Sequence, residues 1–256
     1  MDRIEVKVLQ CPSNPGQMSA FLARMTQRGH EISGMKDLVD LMDKPTSPGF
    51  INKLSNMQHG TIKRFDTYTV AIVGASRRFL AQIRTHQHAD FVSGSLQYSD
   101  WSNNEDPGKM FVVPYELLGK DDLRTAYLDS CVESFRAYQL LAADNKNDAA
   151  GFVLPNGVRN TLVIHANIQE WQYMIRLRTC RRNSAETRYV MLKVWEALQN
   201  TPNGEEIFDY RSTGPTCMSS KCPEGHMTCG APCPYAHHTP NKLLKWFFPD
   251  LAGVTE

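Results

Sequence analysis

The chain has 256 residues, 41% hydrophobic and 21% charged, the balance of an average globular protein with ample material for a core. Its net charge of +1 excludes the general attraction that draws strongly basic proteins to nucleic acid or an anionic membrane, so any anion site must come from local clusters. The longest apolar run, near residues 70–75, falls far short of a membrane span, and the N-terminus has no signal-like apolar core.

Residues 3–9 alternate polar and apolar, the period of a half-buried strand. The turn cluster Ser13-Asn14-Pro15-Gly16 follows, and residues 18–29 then carry helical spacing that stops at Gly29. Residues 35–43 read as a short helix before Pro45 and Pro48 break the chain. Residues 61–73 alternate again as a strand, and Gly74 hands over to a helix running from Ser76 to Arg84. Asp121 reads as the N-cap of a long helix with Leu123, Tyr127, Cys131, Phe135, Tyr138 and Leu141 on its apolar face. Residues 159–166 read as a strand, Asn167 is placed to cap the helix after it, and Ser184 begins another. After Thr213 the composition turns to Pro, Gly, Cys and His until Pro240. The pattern gives one α/β domain over residues 1–256, with a loop-rich Cys/His appendage at 213–240.

Residues 82–98, QIRTHQHADFVSGSLQY, pack Gln, Arg, two His and three Ser or Thr groups into one short span. A core strand or an ordinary surface helix has no use for that density of directed donors and acceptors. A site that holds a large polar cofactor together with an anionic substrate does; the bland alternative is a polar surface loop. Two basic clusters offer local anion sites: Arg77, Arg78, Arg84, His86 and His88, and then Arg176, Arg178, Arg181 and Arg182.

Thr85-His86-Gln87, seven residues, then Ser95 resembles the signature of flavin-dependent thymidylate synthases, Arg-His-Arg, seven residues, then Ser. A second block of that family is similar to the Leu-Pro turn at 154–155, Asn167 opening a helix, and Leu177-Arg178 eleven positions on. The Ser76-Arg77…Gln82 entry matches as well, so the likeness spans roughly residues 60–190. It implies an α/β (α+β) fold with a central, mostly antiparallel sheet and long helices. It also implies FAD as cofactor, NADPH and 5,10-methylenetetrahydrofolate as co-substrates, and a homotetramer with sites built between subunits.

Carried over by position, the resemblance assigns nucleotide contacts to Gln82, Arg84, Ser93, Ser95 and Gln97 and to the backbone of Gly94 and Leu96. His86 is the imidazole that lies against the flavin, between Thr85 and Gln87. Asn167 and Gln169 touch the flavin from the second block, and Tyr173 stands where the family often has a smaller polar group. His59 and Thr61 fall near the flavin-contacting loop. Arg178 matches the arginine that polarises the pyrimidine, a catalytic role that makes physical sense: a fixed guanidinium stabilises charge as C5 becomes nucleophilic. The implied reaction needs no cysteine nucleophile, because the cofactor carries the hard chemistry.

Departures from the signature bear on the substrate. Positions where the family usually has arginine hold Thr85, Gln87, Gln97 and Gly151, and glutamine cannot replace a bidentate, charged phosphate contact. Arg84, Arg159, Arg181 and Arg182 are candidates to restore that charge. Alternatively, uncharged Gln97 or Thr85 serves a 2′-hydroxyl. The Thr-His-Gln branch resembles uridylate methylases of peptidyl-nucleoside antibiotic pathways, such as the polyoxin pathway, which accept UMP as well as dUMP. C5-methylation of UMP, with dUMP as a second substrate, is the leading expectation; an ordinary thymidylate synthase acting on dUMP is the alternative.

The tail places Cys217, Cys222, Cys229 and Cys233 around His226, with His237 and His238 beyond. This count is compatible with zinc, although the spacing is not that of a standard finger, and reduced cysteines in an ordered loop are the leading expectation. Seven cysteines, an odd number, fit a reducing compartment, hence a cytoplasmic protein. A remoter reading joins this tail to the arginine clusters as a zinc-stabilised nucleic-acid-binding protein. The net charge counts against it, and no nucleic-acid or membrane partner is expected.

Overall fold

The structure, a computed structural model, describes residues 1, 3–104, 106–144 and 147–251. Its elements are β1 (Glu5–Gln10), α1 (Gln17–Arg28), α2 (Met35–Met42), α3 (Pro48–Ser55), β2 (Thr67–Ser76), α4 (Arg77–Ile83) and β3 (Ala89–Ser93). There follow α5 (Asp121–Ala142), α6 (Asn147–Gly151), β4 (Arg159–Asn167), α7 (Ile168–Arg178), α8 (Ala185–Gln199), α9 (Gly204–Ile207), α10 (Tyr210–Thr213) and α11 (Pro240–Phe247). The four strands form one antiparallel sheet in the order β1-β2-β4-β3, so the expected mixed α/β architecture holds. The chain divides into two compact units, the first Met1–Glu5, Ala71–Gln87 and Phe91–Val163, the second Val6–Val70, His88–Asp90 and Ile164–Glu256. Each strand contributes residues to both.

In the first unit, α5 buries Cys131, Phe135, Tyr138 and Ala142 against Met110, Phe111, Ala150 and Val158. The spacing of those α5 residues is the one read from the sequence, except at its start: Leu123 is exposed. Asp121 is not the cap. It is the first helical residue, Lys120 occupies the cap position without a side-chain cap bond, and the carboxylates of Asp121 and Asp122 instead face the helix dipole from its first turn. Gly74 does not end β2. It lies within the strand at φ +83°, where an added Cβ would come 2.5 Å from the Arg3 carbonyl oxygen, and the strand continues to Ser76. Ser76 then caps α4 by accepting from the Phe79 N–H at 3.1 Å.

In the second unit, residues 61–64 are a 3-10 turn rather than strand, and β2 begins only at Thr67. The alternation does not carry burial there: polar Lys63 and Asp66 are buried, whereas Phe65 is exposed. Pro48 was expected to break the chain but starts α3, at the first helical position, where its missing N–H costs nothing; Ser47 caps it. The core here rests on Trp171 and Trp195, each fully buried with its indole N–H bonded to a carbonyl, Tyr68 at 3.2 Å and Phe208 at 2.7 Å. The Ile168 N–H donates to the Asp66 carbonyl at 3.0 Å, fixing where α7 leaves the sheet.

Candidate active site

In the first unit, α4 runs directly into the polar segment singled out in the sequence. Its end is closed locally: the Thr85 hydroxyl donates to the Gln82 carbonyl at 3.0 Å, and the His86 N–H donates to the Ile83 carbonyl at 3.3 Å, with the His86 side chain buried. β3 then presents Ser93, whose hydroxyl accepts from the Arg84 guanidinium at 2.6 Å. Gly94 is clamped against β4: its N–H donates to the Thr161 carbonyl at 3.0 Å, and its carbonyl accepts from the Asn160 amide at 3.0 Å. A Cβ there would sit 2.6 Å from Asn160 Oδ1, so only glycine permits the approach. The Ser95 hydroxyl accepts from the N–H groups of Gln97 at 3.1 Å and Tyr98 at 3.2 Å, which curls the segment into a turn.

The result is a pocket of about 480 Å³ walled by Arg84 and residues 93–97, with Arg77, Asp148, Gly151 and Phe152 completing it. All six residues assigned to the nucleotide at positions 84 and 93–97 therefore come together. Gln82, Thr85, His86 and Gln87 lie outside its walls. Arg77, named only in the motif's entry and in a basic cluster, belongs to it; burial and then the Arg84 charge hold its pKa below the ordinary arginine value.

In the second unit, Asn167 caps α7 as expected, its Oδ1 accepting from the Glu170 N–H at 3.0 Å. Gln169, in the first turn, accepts from Arg64 Nε at 2.8 Å. Gly60 lies against the Gln169 amide so closely that a Cβ would be 2.4 Å from its Nε2. The loop carrying His59 and Thr61, both exposed, is thus brought to Gln169. Further along α7, Tyr173 is exposed and Arg178 half-buried. Burial lowers the Arg178 pKa while neighbouring Tyr173 raises it, and a guanidinium keeps its charge in either case. The Arg178 Nη1 reaches Asn183 Oδ1 at 3.5 Å, and the Asn183 amide in turn donates to the Leu177 carbonyl at 2.8 Å.

Two groups here escaped the sequence reading. Lys63 is buried, donating to the carbonyls of Ser55 (3.1 Å) and Met57 (3.2 Å) and to Gln172 Oε1 (2.9 Å). Burial, helped by the Arg176 charge, pushes its pKa down to about 8. Glu170 is also buried; burial raises its pKa while the His88 charge opposes the rise. Neither lies in a motif, and a lone Lys or Glu in a sequence gives no sign of its burial.

Residues 7–202 match the family described as thymidylate synthase complementing protein. The chain belongs to this family. Among its relatives, the flavin-dependent thymidylate synthase of Geobacter sulfurreducens is 25% identical over 230 residues, covering 89% of this chain and 94% of that protein. That of Thermococcus onnurineus is 29% identical over 66% and 69% of the two chains. The fold is similar to thymidylate synthase X from Helicobacter pylori, solved with FAD and dUMP, at a TM-score of 0.60 and 17% identity over 81% of this chain and 98% of the other. It is equally similar to the UMP/dUMP methylase PolB of Streptomyces cacaoi, solved with 5-Br dUMP, at a TM-score of 0.61 and 16% identity over 80% and 94%.

The family match ends at residue 202, so the cysteine-rich tail lies beyond it. There a cavity of about 430 Å³ is walled by Tyr173, Arg176 and Leu177 of α7 together with five cysteines, Cys180, Cys217, Cys222, Cys229 and Cys233. The Cys217 sulfur accepts from the Cys233 N–H at 3.3 Å. Hydrogen bonding from Cys233 pushes the Cys217 thiol down to about 6, and the same contact raises that of Cys233. Among the described residues no three His, Cys, Asp or Glu side chains stand close enough together to hold one metal ion. Arg181 and Arg182 wall this cavity and not the pocket of the first unit.

Proposed function

We propose that the chain is a flavin-dependent nucleotide C5-methyltransferase that methylates UMP, and dUMP as a second substrate. Membership of the family supports the reaction class, and the observation that carries the substrate reading is the polar pocket of Arg84 and residues 93–97. Its Ser93 and Ser95 hydroxyls and its backbone groups suit a sugar and its phosphate. Gln97 is exposed at its wall, where the amide can both donate to and accept from a 2′-hydroxyl. Thr85 suits that task less, since its own hydroxyl already donates to the Gln82 carbonyl.

The residues present fit FAD. Gly60 packs directly against the Gln169 amide, and His59, Thr61 and Gln169 gather polar donors and acceptors beside the Arg64 guanidinium. Asn167 is held by its own capping bond, so its remaining amide group is oriented. The reduced flavin, recharged by NADPH, supplies hydride equivalents, and methylenetetrahydrofolate supplies the carbon. Arg178 holds a fixed positive charge for the pyrimidine oxygens, and its partial burial strengthens that interaction relative to water. No protein thiol acts on C5 in this scheme.

Val92, Tyr98, Leu140 and Phe152 are large, apolar and exposed in the single chain; surface of this kind supports the homotetramer, which light scattering tests. No helix among the described residues is long and apolar enough to cross a membrane, and a cytoplasmic enzyme is the matching location. The deciding experiment incubates the purified, FAD-loaded protein with methylenetetrahydrofolate, NADPH and either UMP or dUMP, with product mass as readout. A methylated UMP product is expected. Turnover of dUMP alone makes the chain an ordinary thymidylate synthase, and no methylation of either nucleotide sinks the whole reading.

A further inference from the structure

Gln97 and Gly151, which stand where the sequence resemblance implies arginine, both line one pocket in the first unit. The same pocket is walled by Arg77 and Arg84. These two stand seven residues apart across α4 and its C-cap, a spacing that places them on one face of the helix two turns apart. We propose that Arg77 and Arg84 together bind the 5′-phosphate of the nucleotide, the positive charge having moved from one wall of the pocket to another. This inference rests on the nucleotide-methylating reading above and names the groups that recognise its substrate.

Several observations converge on this pair. Arg84 is held in place by its 2.6 Å bond to Ser93, within the segment that forms the rest of the pocket. Arg77 is half-buried and close enough to Arg84 for the two charges to repel, an arrangement that an anion between them relieves. A guanidinium offers several N–H donors in a fork that matches phosphate oxygens, which no glutamine at position 97 could do with charge. Asp148 is the acidic group on the wall; two guanidiniums outweigh it and leave the pocket positive. The other candidates are committed elsewhere. Arg159 donates to the carbonyls of Lys109 at 3.1 Å and Gly74 at 2.9 Å, and Arg181 and Arg182 wall the thiol-lined cavity.

The test measures UMP, dUMP and uridine binding to the FAD-loaded enzyme for wild type, Arg77→Gln and Arg84→Gln, with flavin absorbance and melting temperature confirming the fold. Each substitution should weaken both nucleotides by about tenfold to a hundredfold and leave uridine, which has no phosphate, unchanged. Adding Gly151→Arg to Arg77→Gln should recover much of the loss, because a Cβ at 151 meets Leu96 only at an ordinary 3.4 Å. Should either variant fail to fold, phenylglyoxal labelling of wild type replaces it: UMP should protect Arg77 and Arg84, and uridine should not. Unchanged nucleotide affinity in both folded variants, or labelling indifferent to UMP, overturns the pair. Because wild-type methylation is scored separately, that result leaves the enzymatic assignment standing, whereas absent methylation removes the assignment itself.

Discussion

Gly60→Ala separates the integrity of the fold from the placement of one side chain. Gly60 has φ −80° and ψ −15°, a conformation open to alanine, so the backbone loses nothing by the change. The added methyl would, however, sit 2.4 Å from Gln169 Nε2 and 2.7 Å from its Oε1. Those atoms are the far end of a flexible side chain, so Gln169 must swing away and give up its 2.8 Å bond from Arg64. That exposed bond contributes about 0.5–1.5 kcal/mol to stability, a loss partly offset by the lower chain entropy of alanine in the unfolded state. The melting temperature should therefore move by no more than a few degrees. Flavin affinity should fall by about tenfold if the Gln169 amide contacts the cofactor, the worth of roughly one directed hydrogen bond. Fluorescence titration of FAD into apoprotein measures this, with Gln169→Ala as the companion. Wild-type flavin affinity in both variants would refute the placement of the cofactor beside this loop.

Further consequences are as direct. Arg178→Lys keeps the charge but not the planar fork, and should lower kcat by about a hundredfold to a thousandfold with a smaller change in nucleotide affinity; weakened affinity with kcat unchanged would make Arg178 a binding group only. Lys63 has a native pKa of about 8 against an ordinary 10.5, so the unfolded chain holds the extra proton between those values and stability from this group rises with pH across that window. Urea unfolding should show the wild-type advantage over Lys63→Met growing from pH 8 to 10, and a flat difference would count against the burial of its charge. Gly74→Ala forces a side chain into φ +83° and against the Arg3 carbonyl at 2.5 Å, which should destabilise by about 2–4 kcal/mol in the same assay. Hydrogen bonding from Cys233 lowers the Cys217 thiol while burial raises those of Cys131 and Cys180, so Cys217 should be alkylated by iodoacetamide before either, as peptide mapping will show. Zinc analysis of that sample tests the metal candidates Cys217, Cys222, Cys229 and Cys233.

What the sequence made legible was local and periodic. Asn167 and Ser184 were legible at the starts of their helices because each side chain accepts from the N–H three residues on, a pattern confined to a few positions. The buried stripe of α5 likewise follows from spacing alone. Pro48 and the strand over residues 61–66 misled because the same residues carry two meanings: proline both breaks and starts helices, and alternation over a few residues also fits a 3-10 turn. Arg77 was visible only as a member of a basic cluster and of the motif's entry, with no role of its own, since its relation to Gln97 and Gly151 spans 20 to 74 residues of chain and exists only once they face one pocket. The gathering of Cys180 with four tail cysteines is non-local in the same way.

α7 has a consequence for how such an enzyme can diverge. It carries Gln169 in its first turn and Arg178 in its last, so the two are held about 13 Å apart by nine rises of a single rigid rod. The helix is a ruler between the group beside the cofactor loop and the group assigned to the pyrimidine. Point substitutions at the nucleotide pocket leave that ruler untouched, and arginines can be lost and gained there one at a time. A single-residue insertion within α7 would instead turn Arg178 by about 100° relative to Gln169 and shift it by about 1.5 Å. On the proposed roles, a substitution in the pocket leaves the spacing along α7 unchanged, while an insertion or deletion in the helix alters it.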